Sequence, residues 1–134
     1  MDTAFLNSIT NFIIYFVAAS GFFSIFIFFY YKTTPYNDFV LIREGNRSAA
    51  INIAGAMIGY ALSLSRCVEQ SHAPLEFVLW AIVALVSQLI AYRLVHLFFP
   101  EIGKNIKNDV QSAAIFTAGI SISIGLFVAA AMTE

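Results

Sequence analysis

Three polar side chains interrupt long apolar runs of the sequence, and they are its first candidates for chemistry. Asn52, Gln88 and Arg93 each lie among aliphatic and aromatic residues. A polar group in such surroundings is costly to leave unpaired, so these residue types suit the lining of an ion or substrate path. The structural alternative is favoured. It assigns the two amides to hydrogen bonds between helices and lets the long Arg93 side chain reach a membrane interface.

A charged motif, REGNRS at residues 43–48, precedes the second apolar run. Asn46 or Ser48 can cap the helix that follows, and Gly45 supplies a permissive turn. The two arginines of the motif form a small basic surface at the level of the lipid headgroups. Capping explains the polar residues by itself, and the functional alternative is contact with headgroups or with a cytoplasmic partner. The residues of this candidate contact are Arg43, Glu44, Asn46 and Arg47.

The histidines, acidic residues and single cysteine form no catalytic or metal-binding motif. His72 and His96 are separated by a complete apolar run, which places them on opposite sides of a membrane. Glu69 and Glu76 flank His72, where such residues commonly serve solubility. Cys67 has no second cysteine for a disulfide or a CxxC pair. Because HExxH and phosphate-binding glycine motifs are also missing, we expect neither an enzyme nor a bound cofactor or metal.

Composition assigns the chain to the membrane. Of its 134 residues, 60% are hydrophobic and 11% are charged, and the mean hydropathy is +0.80. These values lie outside the range of soluble globular domains. The length allows about four spans of roughly 20 residues, so residues 1–134 are predicted to form one integral membrane domain in contact with the lipid bilayer. A net charge of −1 without a polybasic tail gives nucleic acid no support as a partner.

Four apolar runs cover residues 9–31, 49–64, 77–99 and 113–132. Each is expected to be a helix, because an isolated strand cannot satisfy its backbone hydrogen bonds in lipid. The sequence therefore predicts an all-α membrane protein with four transmembrane helices. Short connectors group these helices into two tandem hairpins, residues 9–64 and 77–132.

Basic residues predict how the helices are oriented. Six of the seven basic residues lie in or beside the first and third connectors, and only Arg66 lies near the second. The six are Lys32, Arg43, Arg47, Arg93, Lys104 and Lys107. Positive charge favours the cytoplasmic side. We therefore expect the first and third connectors in the cytoplasm and both termini in the periplasm.

The two hairpins carry a repeated stretch, SAAINIAGAMIG at residues 48–59 and SAAIFTAGISIS 64 positions later. This match predicts a tandem duplication with a pseudo-twofold axis along the membrane normal. Small residues spaced four apart let helix backbones approach each other in lipid. The predicted packing residues are Gly55, Gly59, Gly119, Ser123 and Gly125. The bulky first helix is expected to face lipid, whereas Ala81, Ala84, Gln88 and Ala91 mark an inward face of the third.

Three segments resemble a known family: REGNRSAAINIAGAMIGYALSLS, LEFVLWAIVALVSQLIAYRLVHLFFP and VQSAAIFTAGISISIGLFVAAAMT. In this order they are similar to the domain of unknown function 350 family, the YjfL-like small bacterial inner-membrane proteins. The similarity covers about residues 41–133, and Asp109-Val110 stand where the first half has Gly45-Asn46. The resemblance implies four spans, two repeats and residence in the bacterial inner membrane, in some members beside membrane-stress proteins of the PspA kind, which are therefore a candidate partner. It implies no reaction and no ligand.

Three classes of function remain, in descending order of support. The first is a non-catalytic, homo-oligomeric inner-membrane subunit for envelope maintenance or membrane stress, with cytoplasmic loops that dock a partner. The second is an oligomeric ion channel or small-solute transporter, because four short helices can hardly enclose a path and still pack. The third is a membrane enzyme that acts on lipid, which the missing catalytic motifs disfavour.

Overall fold

A computed structural model of the chain describes residues 2–34 and 36–132. Six helices make up the structure: α1 (Asp2–Thr33), α2 (Asp38–Arg43), α3 (Arg47–Gln70), α4 (Pro74–Phe98), α5 (Ile102–Lys107) and α6 (Gln111–Ala131). The long helices α1, α3, α4 and α6 are each long and apolar enough to cross a membrane. The prediction of four transmembrane helices is confirmed, whereas the tandem duplication stays a prediction.

The connectors differ from the expectation. The short helices α2 and α5 occupy the first and third connectors, for which no helix was predicted. α3 continues six residues past the predicted end at residue 64 to Gln70. Short helices escape a search for long apolar runs because one or two turns hold too few residues to show a period. Both lie at one end of the bundle, where α1 and α4 end and α3 and α6 begin. We call this the loop end.

The centre of the bundle is the contact between α3 and α6, and small residues make it close. A Cβ atom added at Gly59 would overlap the Ser121 carbonyl, and one added at Gly125 would overlap the Gly59 carbonyl. A Cβ atom at Gly55 would overlap the backbone of Ala118. These three glycines therefore lie where the two backbones meet, as small residues do between helices in lipid.

Gly119 and Ser123 do not belong to this contact. Both are exposed, and a Cβ atom at Gly119 would have nothing within 4 Å. The prediction that these two residues pack helices is therefore wrong within the chain. The structure turns α6 so that other residues face the bundle, namely Ala114, Thr117, Ala118, Ser121 and Gly125. The sequence repeat concealed this rotation because it aligns Gly119 with the buried Gly55.

α1 is exposed over most of its surface, as expected for a helix that faces lipid. It packs on α3 and α4 through aromatic residues along its length, from Tyr15 against Phe77 to Tyr30 against Tyr92. Phe26 is 1% exposed, and its ring stacks on that of Tyr60 with the ring centres 4.7 Å apart. The predicted inward face of α4 is confirmed, since Ala81, Ala84, Gln88 and Ala91 are all buried.

Candidate functional site at the loop end of the bundle

Two junctions at the loop end, α2 to α3 and α5 to α6, have the same backbone geometry. The Gly45 N–H donates to the Ile42 carbonyl at 3.0 Å, and 64 positions later the Asp109 N–H donates to the Ile106 carbonyl at 3.0 Å. Gly45 has φ 89° and Asp109 has φ 62°. A positive φ is easy for glycine and tolerated by aspartate. The Gly-to-Asp difference therefore leaves the turn unchanged.

Asn46 holds the two junctions together. Its Oδ1 accepts from the Ala49 N–H at 2.8 Å, which confirms Asn46 as the cap of α3. Its Nδ2 donates to the carbonyls of Ile106 at 3.2 Å and Lys107 at 3.0 Å. These carbonyls belong to the last turn of α5, where α-helices leave acceptors unpaired. One side chain thus serves the start of α3 and the end of α5.

Asp109 completes the connection from the other junction. Its Oδ1 accepts from the Ser48 N–H at 2.9 Å and from the Ser48 hydroxyl at 2.8 Å. These hydrogen bonds to Ser48 are the main reason that the pKa of Asp109 lies below its ordinary value. Val110, at the cap position of α6, makes no side-chain cap bond. Asp109 therefore caps α3, although it precedes α6 in the chain.

Charged side chains surround this connection on the outside. Arg43, Glu44 and Arg47 are exposed, and so are Lys104 and Lys107 on α5. Because Asn46 and Asp109 link the backbones that carry them, these charges form one surface, which we call the charged rim. Three of the four residues predicted for partner or headgroup contact, Arg43, Glu44 and Arg47, belong to the rim. The fourth, Asn46, is half-buried and makes the connection between the junctions.

A buried polar cluster lies beneath α2. Asp38 is 0% exposed and Thr34 is 8% exposed. The Thr34 hydroxyl lies 2.7 Å from Asp38 Oδ2 and 3.0 Å from the carbonyl oxygens of both Tyr31 and Tyr36. The second carboxylate oxygen, Oδ1, has no hydrogen-bond partner among the described residues. Burial raises the pKa of Asp38 from 3.8 to about 6, against the opposing effect of the Thr34 hydroxyl.

Asn52 extends the cluster to the membrane-spanning helices. Its Nδ2 donates to the hydroxyl oxygens of Tyr30 and Tyr36, the latter at 3.4 Å. Its Oδ1 is buried and has no hydrogen-bond partner in the part of the chain that the structure describes. The Tyr30 ring packs edge-on against Tyr92 with the ring centres 5.1 Å apart, and the Tyr92 hydroxyl lies 3.2 Å from His96 Nε2. Burial, together with the nearby Asp38 carboxylate, also raises the pKa of Tyr36.

The three polar residues predicted for the membrane interior are not brought together. Asn52 faces α1, whereas Gln88 Nε2 donates to the Ser121 carbonyl on α6 at 3.0 Å. Arg93 is exposed on the outer side of α4. These side chains therefore do not line one path within the chain. The two amides make the interhelical hydrogen bonds of the structural alternative.

At the opposite end of the bundle the acidic residues make local contacts. Glu76, in the first turn of α4, accepts from the His72 N–H at 2.8 Å. Glu69 is exposed. His96 lies near the loop end of α4, so the two histidines are at opposite ends of the bundle, as predicted.

Sequence reasoning missed Asp38, Thr34 and Tyr36, because all three lie in a connector outside the predicted helices. The signal was present: Asp38 opens the short apolar run FVLI.

Known proteins resemble the chain over nearly its full length. A family model described as Domain of Unknown Function (DUF350) matches residues 4–132. The UPF0719 inner membrane protein YjfL of Escherichia coli (strain K12) is 32% identical over 128 residues, which cover 96% of this chain and 97% of that protein. The UPF0719 transmembrane protein YshE of Bacillus subtilis (strain 168) is 25% identical over 108 residues, which cover 79% of this chain and 81% of that protein.

No solved structure matches the chain. The family match spans all four long helices. The relatives are named as inner-membrane or transmembrane proteins, which agrees with four helices long enough to cross a membrane. The chain is thus a multi-pass inner-membrane protein and belongs to the DUF350 family.

Proposed function

We propose that the chain is a non-catalytic, homo-oligomeric inner-membrane subunit that serves envelope maintenance by docking a membrane-stress protein of the PspA kind on its charged rim. The observation that carries this proposal is the connection at the rim. Hydrogen bonds of Asn46 and Asp109 join the start of α3 to the junction between α5 and α6, while Arg43, Glu44 and Arg47 remain exposed. A fixed surface of mixed charge favours the rate and specificity of association with a protein partner.

The proposed orientation places the rim in the cytoplasm and both termini in the periplasm. It is supported by the basic residues of the rim, which the positive-inside rule assigns to the cytoplasm. A periplasm-specific reporter fused after Glu134 is expected to be active, and one inserted beside Glu44 is expected to be silent. The reverse pattern would place the rim outside the cell and remove the basis for a cytoplasmic partner.

Docking is tested with the whole chain in nanodiscs and a purified PspA-type protein. The wild-type chain is expected to bind it, and the double variant R43E/R47E is expected to bind at least tenfold more weakly because both rim arginines reverse their charge. Arg66→Glu is the matched control, since Arg66 lies at the opposite end of the bundle. No binding by the wild type, or equal binding by R43E/R47E, would contradict the proposal.

The channel alternative gains no support from the packing of a single chain. Gly59 and Gly125 bring the α3 and α6 backbones into contact at the centre, and the candidate polar residues point in different directions. Ion flux through liposomes that contain the purified protein is expected to equal that of empty liposomes. A flux that Gln88→Leu alters without any change in assembly would favour conduction through an oligomer.

A further inference from the structure

The oxygen atoms around Thr34 include more hydrogen-bond acceptors than the available protons can satisfy. Three acceptors surround its hydroxyl within 3.0 Å: Asp38 Oδ2 and the carbonyl oxygens of Tyr31 and Tyr36. A hydroxyl has one proton and can satisfy one of them. If Asp38 is ionised, it brings only acceptors, and Oδ1 remains unpaired in a residue that is 0% exposed. Such a group costs free energy comparable to a lost hydrogen bond or more.

One additional proton reduces this imbalance. A protonated Asp38 donates from Oδ2 to Thr34 Oγ1, and the Thr34 hydroxyl then donates to one of the two carbonyls. The 2.7 Å separation of these oxygens suits an O–H···O hydrogen bond in either direction. The carboxyl group becomes neutral, which removes the cost of a buried charge.

The surroundings of Asp38 provide no compensating positive charge. The titratable groups that face it are the phenols of Tyr30 on α1, Tyr36 in the connector and Tyr92 on α4. His96 and Arg93 lie beyond Tyr92 and act on that residue or on each other. Asn52, the polar residue that α3 contributes, is uncharged. Among the residues that the structure describes, none pairs a cation with Asp38.

We propose that Asp38 is a proton-binding site that locks the connection between α1 and α2: its protonated carboxyl bonds to Thr34, and loss of the proton loosens α2 from the bundle. The step moves one proton from Asp38 to solvent. It leaves a buried carboxylate that, among the described residues, is stabilised only by the Thr34 hydroxyl and by its own backbone N–H. α2 is the element that responds, because it is short, begins at Asp38 and rests on half-buried Leu41 and Ile42.

The proton is tested by a carboxyl titration of the whole chain in nanodiscs with ¹³C-labelled aspartate. The sequence has three aspartates, Asp2, Asp38 and Asp109, so Asp2→Asn and Asp109→Asn assign the signals by elimination even if Asp38→Asn does not fold. One carboxyl is expected to titrate near 6 rather than 3.8, and it should remain in both of these variants. If all three titrate at or below the ordinary range, the proposal is wrong.

The lock is tested by amide hydrogen exchange in α2 across the same titration. As Asp38 ionises, the exchange rate of the α2 amides is expected to rise more steeply with pH than that of unprotected amides, because opening of a local segment exposes its amides. Asp38→Asn, which is neutral at every pH, should remove this excess. Glu44→Gln, which alters an exposed carboxylate in the same connector, should keep it. A wild-type α2 that exchanges independently of the titration would overturn the lock.

A further measurement separates a proton from a metal cation. The titration is repeated in sodium, potassium and choline chloride at equal ionic strength. The midpoint for Asp38 is expected to be the same in all three salts. A midpoint that falls in sodium or potassium relative to choline would mean that a metal cation occupies the site, and the proton-binding proposal would then be wrong.

Discussion

At the scale of single residues, two aspartates of the loop end behave in opposite ways because their surroundings differ. Asp38 is buried, and the cost of burying its charge outweighs its hydrogen bonds, so its pKa rises to about 6. Asp109 is exposed and accepts two hydrogen bonds from Ser48, and its pKa falls below the ordinary value. Neither effect is visible in the sequence, where each is an aspartate in a connector.

These two shifts predict opposite dependences of stability on pH. Asp38 binds its proton more tightly in the folded than in the unfolded chain, so its contribution is complete below pH 3.8 and is lost as pH rises through about 6. Asp109 releases its proton more readily when folded, so its contribution is present above the ordinary pKa and is lost as pH falls through the lower folded value. Thermal unfolding of the purified protein against pH measures both.

Asp38→Asn should abolish the decline in stability between pH 3.8 and about 6, and Asp109→Asn should leave that decline in place. A decline that persists in Asp38→Asn would assign it to another group.

Asp109 also tests what the turn before α6 requires. Asparagine keeps an acceptor and tolerates a positive φ, glycine keeps the φ of 62° without an acceptor, and alanine keeps neither. We expect melting temperatures to fall in the order wild type, Asn, Gly, Ala. Asn108→Ala, next to it and exposed, serves as the control. An alanine variant as stable as the asparagine variant would mean that neither the turn nor the capping bond matters.

At the scale of elements, the contact between α3 and α6 shows how far a repeated sequence predicts packing. Gly55 and Gly59 lie in the contact, but their counterparts Gly119 and Ser123 lie outside it. The two helices use different faces: Gly55 and Gly59 of α3 are buried, whereas α6 buries Ala118, Ser121 and Gly125 instead. A period of four in small residues predicts a close helix contact, but it does not name the helix that makes it.

Glycine-to-alanine substitutions on these helices should separate the two faces. Gly59→Ala and Gly125→Ala place a methyl group into the opposite backbone and are expected to cost about 1–3 kcal/mol of unfolding free energy. Gly119→Ala enters open space and should be neutral or slightly stabilising, because alanine favours the helix. Unfolding of the three variants in mixed micelles measures the difference. Equal losses in all three would contradict the observed orientation of α6.

At the scale of the whole molecule, the sequence predicted the bundle better than its loop end. Four apolar runs suffice for four spans, because a bilayer admits few other solutions. The inward face of α4 followed from its small residues, and the cap of α3 followed from Asn46. The connection between Asn46 and α5, or between Asp109 and Ser48, joins residues about sixty positions apart. No local pattern specifies which distant carbonyl or hydroxyl a side chain reaches.

The outer face of α6 provides the test of the proposed homo-oligomer. Gly119 and Ser123 are exposed between Ile115 and Leu126, which are 59% and 51% exposed. Their counterparts in the first half pack against a helix, so a second copy of the chain is the occupant we expect here. Gly119→Leu should then weaken self-association, because the added side chain keeps the neighbouring backbone away. It should leave the stability of the single chain unchanged, since nothing lies within 4 Å of a Cβ atom at this position.

Energy transfer between donor- and acceptor-labelled copies, measured in liposomes over a series of lipid dilutions, compares Gly119→Leu with the wild type. Val83→Leu is the matched control, because Val83 is 48% exposed on α4 and also gains bulk on a lipid-facing surface. We expect energy transfer to persist to high dilution in the wild type and in Val83→Leu, and to be lost earlier in Gly119→Leu. If all three associate equally, α6 faces lipid at Gly119, and its small residues do not form the contact between copies.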